Sequence, residues 1–264
     1  MKITSNIYLN NFDSNLILPF LSKDKYDLVI DDSEYGIGES SKNHKSRNTV
    51  IRQKNGKLLR AKNPEYGNFD WDDKRPDKFY FRNLIKVSKN QIIFGANYFK
   101  EFMQKPIKPL RRNEYDTFLK NNPVGWIIWD KMNGDNDFSD CEMIWTSFKK
   151  PSIVIYYMWA GMMHGLSVST DYEKANVQIG NKQLNEKRKH PTQKPVKIYD
   201  WILFNYAEHR DRIADFKGGH CSLGISVHNS NKDLKIDIFE KEKLIYDKAL
   251  TRLKTHVSQQ KLIL

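Results

Sequence analysis

The run Tyr26-Asp27-Leu28-Val29-Ile30-Asp31 constrains the fold of this chain more than any other stretch. Its unbroken apolar centre reads as a fully buried strand, of the kind found inside open α/β sheets. The run continues as Asp32-Ser33-Glu34-Tyr35-Gly36-Ile37-Gly38, which joins a carboxylate, a short polar turn, an aromatic ring and two glycines. Such a strand delivers Asp32 and Tyr35 to the carboxyl edge of the sheet, where open α/β folds keep their ligand sites. A carboxylate beside an aromatic platform suits a flat molecule carrying an amino group, such as a nucleobase. Taken alone, an Asp after a strand is also an ordinary turn residue.

The same rhythm recurs downstream. Gln91–Phe94 (closed by Gly95-Ala96-Asn97), Gly125–Trp129 and Ile153–Tyr157 are rich in β-branched or aromatic residues and are predicted strands. Arg212–Asp215 and Lys235–Phe239 are predicted short strands, each followed by a helix. Helical spacing joins Tyr80, Leu84 and Val87 within Phe79–Val87, and Ile198, Trp201, Ile202 and Tyr206 behind Pro195. A final helix from about Lys241 to Val257 carries the stripe Leu244, Ile245, Ala249 and Leu253. Alternating strands and helices argue for an α/β fold. The 264 residues suffice for one sizeable core, so a single domain over residues 1–264 is expected, with insertions at 39–78 and 161–189.

The first insertion opens with Glu39–Lys62, which carries Lys42, Lys45, Arg47, Arg52, Lys54, Lys57, Arg60 and Lys62 with Glu39 as its only acid. It reads as a mobile loop, either merely solvated or, given its place just after the Asp32 turn, touching a polyanion. The second, Gly161 to Lys189, is either a recognition insertion or a long connection. The formal net charge of +12 points to the same class of partner, because such a charge attracts phosphates. Two cysteines, Cys141 and Cys221, have no metal-ligand spacing, which argues against a disulfide framework and a zinc site and for a reducing compartment. The seven histidines show no ligand spacing, and no metal is expected. Met1–Leu16 lacks a signal pattern, and the longest apolar run, Ile153 to Met163, is too short to span a bilayer. A cytoplasmic protein without a membrane partner is expected.

Behind the predicted strand Arg212–Asp215 stands Asp215-Phe216-Lys217-Gly218-Gly219-His220-Cys221-Ser222. Gly218 and Gly219 let the backbone turn tightly and approach a ligand with no Cβ in the way. Ser222 can start a helix whose free N–H groups suit a carboxylate. After the next strand, Asp237 is the acid placed for ribose hydroxyls, with Glu240 as the alternative. A Gly-Gly turn after a strand is also found where nothing binds.

His190-Pro191-Thr192-Gln193-Lys194-Pro195, taken with the Asp32 turn, resembles the β class of amino-methylating DNA methyltransferases, which act on adenine N6 or cytosine N4. In that class an Asp-Pro-Pro-Tyr-type motif comes first. A recognition region follows, then a His-Pro-Thr-Gln-Lys-Pro element, and last the glycine loop that binds S-adenosylmethionine. The stretches Gln91–Phe99, Trp129-Asp130-Lys131, Phe138–Glu142 and His256–Leu262 also resemble phage-type members. The resemblance implies a Rossmann-like methyltransferase sheet in circularly permuted order, catalytic half before cofactor half. It implies S-adenosylmethionine as cofactor, held by Asp215, Gly218, Gly219, Ser222, Asp237, His190, Thr192, Gln193 and Lys194. It implies double-stranded DNA as substrate, contacted through Lys42, Lys45, Arg47, Arg52, Lys54 and Arg60, in a bacterial or phage-infected cell. The enzyme would work alone or as a homodimer.

In this reading Asp32 and the backbone carbonyl of Ser33 accept the two N–H bonds of the target amine, most naturally adenine N6, while Tyr35 stacks on the flipped base. Ser33 and Glu34 stand where the family has prolines, which leaves the turn without the constraint of fixed φ. Cys221 replaces the last glycine of the family's Asp-Pro-Phe-x-Gly-Ser-Gly loop. Glu34 reads as a solvent-facing turn residue. Three other readings stay open: a degenerate relative that binds DNA without turnover, a dinucleotide-dependent small-molecule enzyme, and a plain basic binding module. The last leaves two strand-end carboxylates beside glycine turns, Asp32 and Asp215, unexplained.

Overall fold

The computed structural model describes residues 1–37, 50–52, 58–60, 74–133, 139–160, 163–181, 183, 185–188 and 192–259. The first half runs β1 (Ile7–Asn11), α1 (Ser14–Ile17), β2 (Tyr26–Asp31), β3 (Val50–Arg52), β4 (Leu58–Arg60), α2 (Lys78–Lys86), β5 (Ser88–Phe94), α3 (Tyr115–Asn121) and β6 (Trp126–Asp130). The second half continues with β7 (Cys141–Thr146), β8 (Ile153–Tyr156), β9 (Trp159–Ala160), β10 (Met163–His164), α4 (Tyr172–Ala175), α5 (Val196–Tyr206), β11 (Arg212–Asp215), α6 (Ser222–Asn229), β12 (Lys235–Glu240) and α7 (Lys243–Ser258). The predicted strands and helices are found with ends shifted by a few residues. β1 and β7 have no counterpart in the sequence reading. Part of the basic loop pairs as the antiparallel hairpin β3–β4, where only a loop was expected.

Eight strands form one sheet in the order β1-β12-β11-β2-β5-β7-β6-β8. β1, β12, β11, β2 and β5 are parallel, and β7 alone runs antiparallel to its neighbours β5 and β6. Parallel strands need cover on both faces, and the side-chain period of two supplies it. Leu28 and Ile30 of β2 join Ile92, Phe94, Ile202, Leu223 and Leu253 under α5, α6 and α7. Val29 between them joins Ile93, Phe81, Leu84 and Phe118 under α2 and α3. These positions are buried, so a polar replacement at Leu28, Val29 or Ile30 disturbs one helical layer or the other.

Two helices near the site have explicit start signals. Asp77 caps α2 by accepting the Tyr80 N–H at 2.9 Å. Pro195 precedes α5, whose first N–H, from Val196, is taken by Glu186 at 2.8 Å. Among the described residues no helix is long and apolar enough to cross a membrane.

Candidate active site

The chain leaves β2 toward β5 on one side and leaves β11 toward β12 on the other, so the strand order switches direction between β2 and β11. In open α/β sheets the crevice outside the carboxyl ends at such a switch point is where ligands bind. Two loops meet there, the turn after β2 and the glycine loop after β11.

The turn is held from below. Asp31, fully buried at the end of β2, accepts hydrogen bonds from Ser33 Oγ and from the Tyr80 hydroxyl of α2. Burial pushes its carboxyl up to about 6, although both hydrogen bonds and Lys217 pull the other way. The Ser33 side chain is therefore buried and engaged. Among the described residues nothing donates to the Ser33 carbonyl.

Asp32 enters a charged cluster. Lys194 Nζ lies 2.8 Å from Asp32 Oδ1 and 3.0 Å from Glu142 Oε1. The Tyr35 hydroxyl is 3.0 Å from Asp32 Oδ1 and 2.5 Å from Glu142 Oε1. Its one proton serves one of these oxygens at a time. Lys131 Nζ stands 3.4 Å from Glu142 Oε2. Burial alone would raise both carboxyls. Lys194 and Lys131, with the Tyr35 hydrogen bond, outweigh it at Glu142 and hold that carboxyl at about 2. At Asp32 burial wins and the carboxyl is raised, against the pull of Lys194. Lys194 is itself raised, because the attraction of both acids outweighs its own desolvation. The two carboxyls are thus pushed in opposite directions, Glu142 down and Asp32 up. Both Lys194 and Tyr35 engage Asp32 through Oδ1, and no described residue hydrogen-bonds Oδ2.

Tyr35, expected as an open stacking platform, has its ring already stacked on Tyr98 at 5.1 Å and 24°, with Phe99 edge-on at 6.3 Å. Gly95 makes this inward position possible. Its φ is +62°, and a Cβ there would come within 2.2 Å of the Tyr35 ring. Glu34 departs from its expectation too. It is not solvent-facing: only 16 % of its side chain is exposed, and Lys217 Nζ binds it at 3.0 Å.

In the glycine loop, the Lys217 N–H donates to Asp215 at 3.0 Å. Burial and the acids around it raise the Asp215 carboxyl well above the ordinary range. Gly218 is required by packing: its N–H meets the Phe239 carbonyl at 2.8 Å, and a Cβ would stand 2.3 Å from Ile238 Cγ2. Gly219 (φ +48°) and Cys221 (φ +59°) are both left-handed. Glycine is the easy residue at either position. α6 begins at Ser222 as expected, and the Ser222 hydroxyl takes a hydrogen bond from Arg252 at 3.1 Å. Asp237 sits in the middle of β12, where the Tyr26 hydroxyl donates to it at 3.0 Å. Asp237, expected as the ribose ligand, thus stands back from the carboxyl edge of the sheet. The carboxyl edge belongs to Glu240, which accepts the Gly219 N–H at 2.9 Å. Beside it, the end of β1 leaves Phe12 46 % exposed, with the Phe12 N–H on the Glu240 carbonyl.

Of the hexapeptide, His190 and Pro191 lie outside the described residues, and Thr192 is half-buried. Gln193 donates to Glu186 at 2.8 Å, and Glu186 also binds Arg252 at 2.7 Å. This element therefore joins α5 to α7, and its Lys194 reaches the cluster. Lys42, Lys45, Arg47 and Lys54 lie outside the described residues; Arg52 and Arg60 belong to the paired strands β3 and β4. Sequence reasoning missed Glu142, Lys131, Tyr80, Glu186 and Arg252 as site residues. A signal existed only for Glu142 and Lys131, which fall in stretches noted for their resemblance. Next to the turn, a cleft of about 570 Å³ is lined by Glu34, Lys217, Tyr80, Asn15, Arg75 and Lys241, among others.

No protein-family model matches the chain, and no curated protein matches it. Solved structures do resemble it. M1.HpyAVI in complex with SAM is 16% identical over 94% of this chain and 98% of its own, with a TM-score of 0.45. The cytosine-N4-specific PvuII DNA methyltransferase is 14% identical over 99% of this chain and 89% of its own, with a TM-score of 0.48. TTHA0409 from Thermus thermophilus is 10% identical over 97% of each chain, with a TM-score of 0.45.

Proposed function

We propose that the chain is an S-adenosylmethionine-dependent methyltransferase acting on the exocyclic amine of a flipped base in double-stranded DNA, with adenine N6 as the target. One observation carries the reading. At the switch point, Asp32 is anchored through Oδ1 alone, beside a Ser33 carbonyl to which no described residue donates, and the glycine loop lies across the same crevice.

The residues fit the cofactor. Glu240 at the end of β12 suits ribose hydroxyls, and Phe12 gives an adenine ring a neighbour. Arg252, paired with Glu186 and bonded to Ser222 at the start of α6, would help the free N–H groups of that helix hold a carboxylate. When bound, S-adenosylmethionine supplies an electrophilic methyl group on a sulfonium.

The chain's part is to prepare the amine. Asp32 Oδ2 and the Ser33 carbonyl accept its two N–H bonds, which turns the nitrogen lone pair out of conjugation and toward the methyl group. As the N–C bond forms and the S–C bond breaks, the nitrogen sheds a proton to Asp32, the carboxylate whose affinity for protons is raised by burial. Lys194 and Glu142 stay charged and hold the geometry. For the base to stack on Tyr35, Tyr98 must give way. The net charge of +12 draws the polyanion.

The test is incubation with methyl-labelled S-adenosylmethionine and mixed-sequence duplex DNA, followed by nucleoside analysis. The expected product is N6-methyladenine. N4-methylcytosine would overturn the target and keep the chemistry. Absence of transfer to any DNA or RNA sinks the reading.

A further inference from the structure

Ser33 and Glu34 replace residues that would fix the turn through their rings, so something else must hold it. We infer that Glu34 and Lys217 are positioning residues, an ionic brace that fixes the acceptor turn against the glycine loop in place of proline. Lys217 Nζ lies 3.0 Å and 3.3 Å from the two Glu34 oxygens, and the side chains are only 13 % and 16 % exposed. The post on which the brace stands is rigid. The Lys217 backbone is tied to Asp215 at 3.0 Å, and its neighbour Gly218 to the Phe239 carbonyl at 2.8 Å. Lys217 also lies 5.3 Å over the Tyr80 ring, and Tyr80 donates to the same Asp31 that takes the Ser33 hydroxyl. The turn is therefore gripped at Ser33 from β2 and α2, and at Glu34 from β11.

A pair this little exposed is screened weakly, and removing one member strands a charge. The consequence deepens the proposed methyl transfer and rests on it. Asp32 lies next to the gripped residues, so loosening the turn misplaces the amine acceptors without touching the target base. That loss belongs in kcat. The KM for S-adenosylmethionine should move little, because Gly219, Glu240 and Arg252 are unchanged.

The experiment compares wild type with Lys217→Met, Glu34→Gln, Lys217→Arg and the exchanged pair Glu34→Lys/Lys217→Glu. Two readouts are used: amide hydrogen exchange of the 32–36 segment in the free protein, and steady-state methylation. Lys217→Met and Glu34→Gln should speed exchange of the turn about tenfold more than they speed exchange of the strands of the sheet, because the loss is local to the turn. They should lower kcat by roughly ten- to a hundredfold at nearly constant KM. Lys217→Arg and the exchanged pair should restore much of both. Unchanged exchange in Lys217→Met, a loss confined to KM, or no recovery in Lys217→Arg would overturn the brace. Should wild type transfer no methyl group at all, the exchange readout still decides the brace, so the two readings fail separately.

Discussion

Replacing Lys194 by methionine tests the charged cluster most directly. The ammonium sits 2.8 Å from Asp32 and 3.0 Å from Glu142, with side-chain exposures of 7 %, 24 % and 9 %. At an effective dielectric of about 20, each contact is worth about 6 kcal/mol of attraction before desolvation is counted. Desolvation offsets much of this, and removing one partner of a buried pair costs about 3–5 kcal/mol. The pH dependence separates this from a packing defect. In wild type the Glu142 carboxyl is held at about 2, below its unfolded value, so it adds stability above roughly pH 4.5 that is lost as pH falls toward 2. Without Lys194 the two carboxylates face each other beside Tyr35, Lys131 alone holds Glu142 down, and Asp32 rises further above its unfolded value. The sign reverses: the variant loses stability as pH rises from about 4.5. Urea denaturation at pH 5 and pH 8 should therefore show a gap to wild type near 3–5 kcal/mol at pH 8 that shrinks at pH 5. Adding Glu142→Gln should recover part of it at pH 8 by removing one of the facing charges. A gap equal at both pH values, or below about 1 kcal/mol, would mean that Lys194 does not hold the two carboxylates together.

Asp31, raised to about 6 by burial, favours the folded state while protonated, so stability should fall as pH rises from about 4 to 6. Asp31→Asn should flatten that slope, worth about 3 kcal/mol, in denaturation series across the window. Gly95→Ala places a Cβ 2.2 Å from the Tyr35 ring and should expel it from Tyr98 and Glu142. Methylation should then drop about a hundredfold, and more than in Tyr35→Phe, as compared by initial rates. At Cys221, φ +59° costs an L-residue about 1–2 kcal/mol. Cys221→Gly trades that strain against a lost buried thiol and should lie within about 1 kcal/mol of wild type. Cys221→Val should cost clearly more, because a β-branched side chain tolerates the left-handed region badly. Urea midpoints check both.

What could be read from the sequence was what neighbouring residues decide together. β2 announces itself because Leu28, Val29 and Ile30 are all apolar, and α5 because Pro195 and the stripe behind it act locally. β1 escaped because Ile7–Asn11 becomes a strand only beside β12, more than two hundred residues away. β7 escaped because Glu142 interrupts its apolar pattern. An acid there looks like a surface residue until Lys194 and Lys131 are brought against it by the fold. Glu34 was misread for the same reason, since its partner Lys217 is distant in sequence. Asp237 and Glu240 differ by register: the strand ends one residue later than predicted, and it is the side chain of its last residue that takes the Gly219 N–H of the glycine loop.

The proposed function asks one chain to attract a polyanion and yet serve a cationic reaction centre, and its charge distribution allows both. The protein as a whole carries +12, yet Asp31, Asp32, Glu34, Glu142, Asp215 and Glu240 all collect at the carboxyl edge around the switch point, answered by Lys131, Lys194 and Lys217. The acids outnumber the lysines there. Some of that excess is already visible as raised carboxyls at Asp32, Asp215 and Glu240, caused by burial first and by one another second at Asp215. A ligand bearing positive charge relieves such crowding, and a phosphate does not. The sulfonium and the amine becoming cationic in the proposed reaction would therefore match the crevice, while a phosphodiester backbone would answer to the net charge of the whole chain. Neutralising one of the crevice acids should weaken cofactor binding by more than it weakens DNA binding, and adding salt should do the reverse.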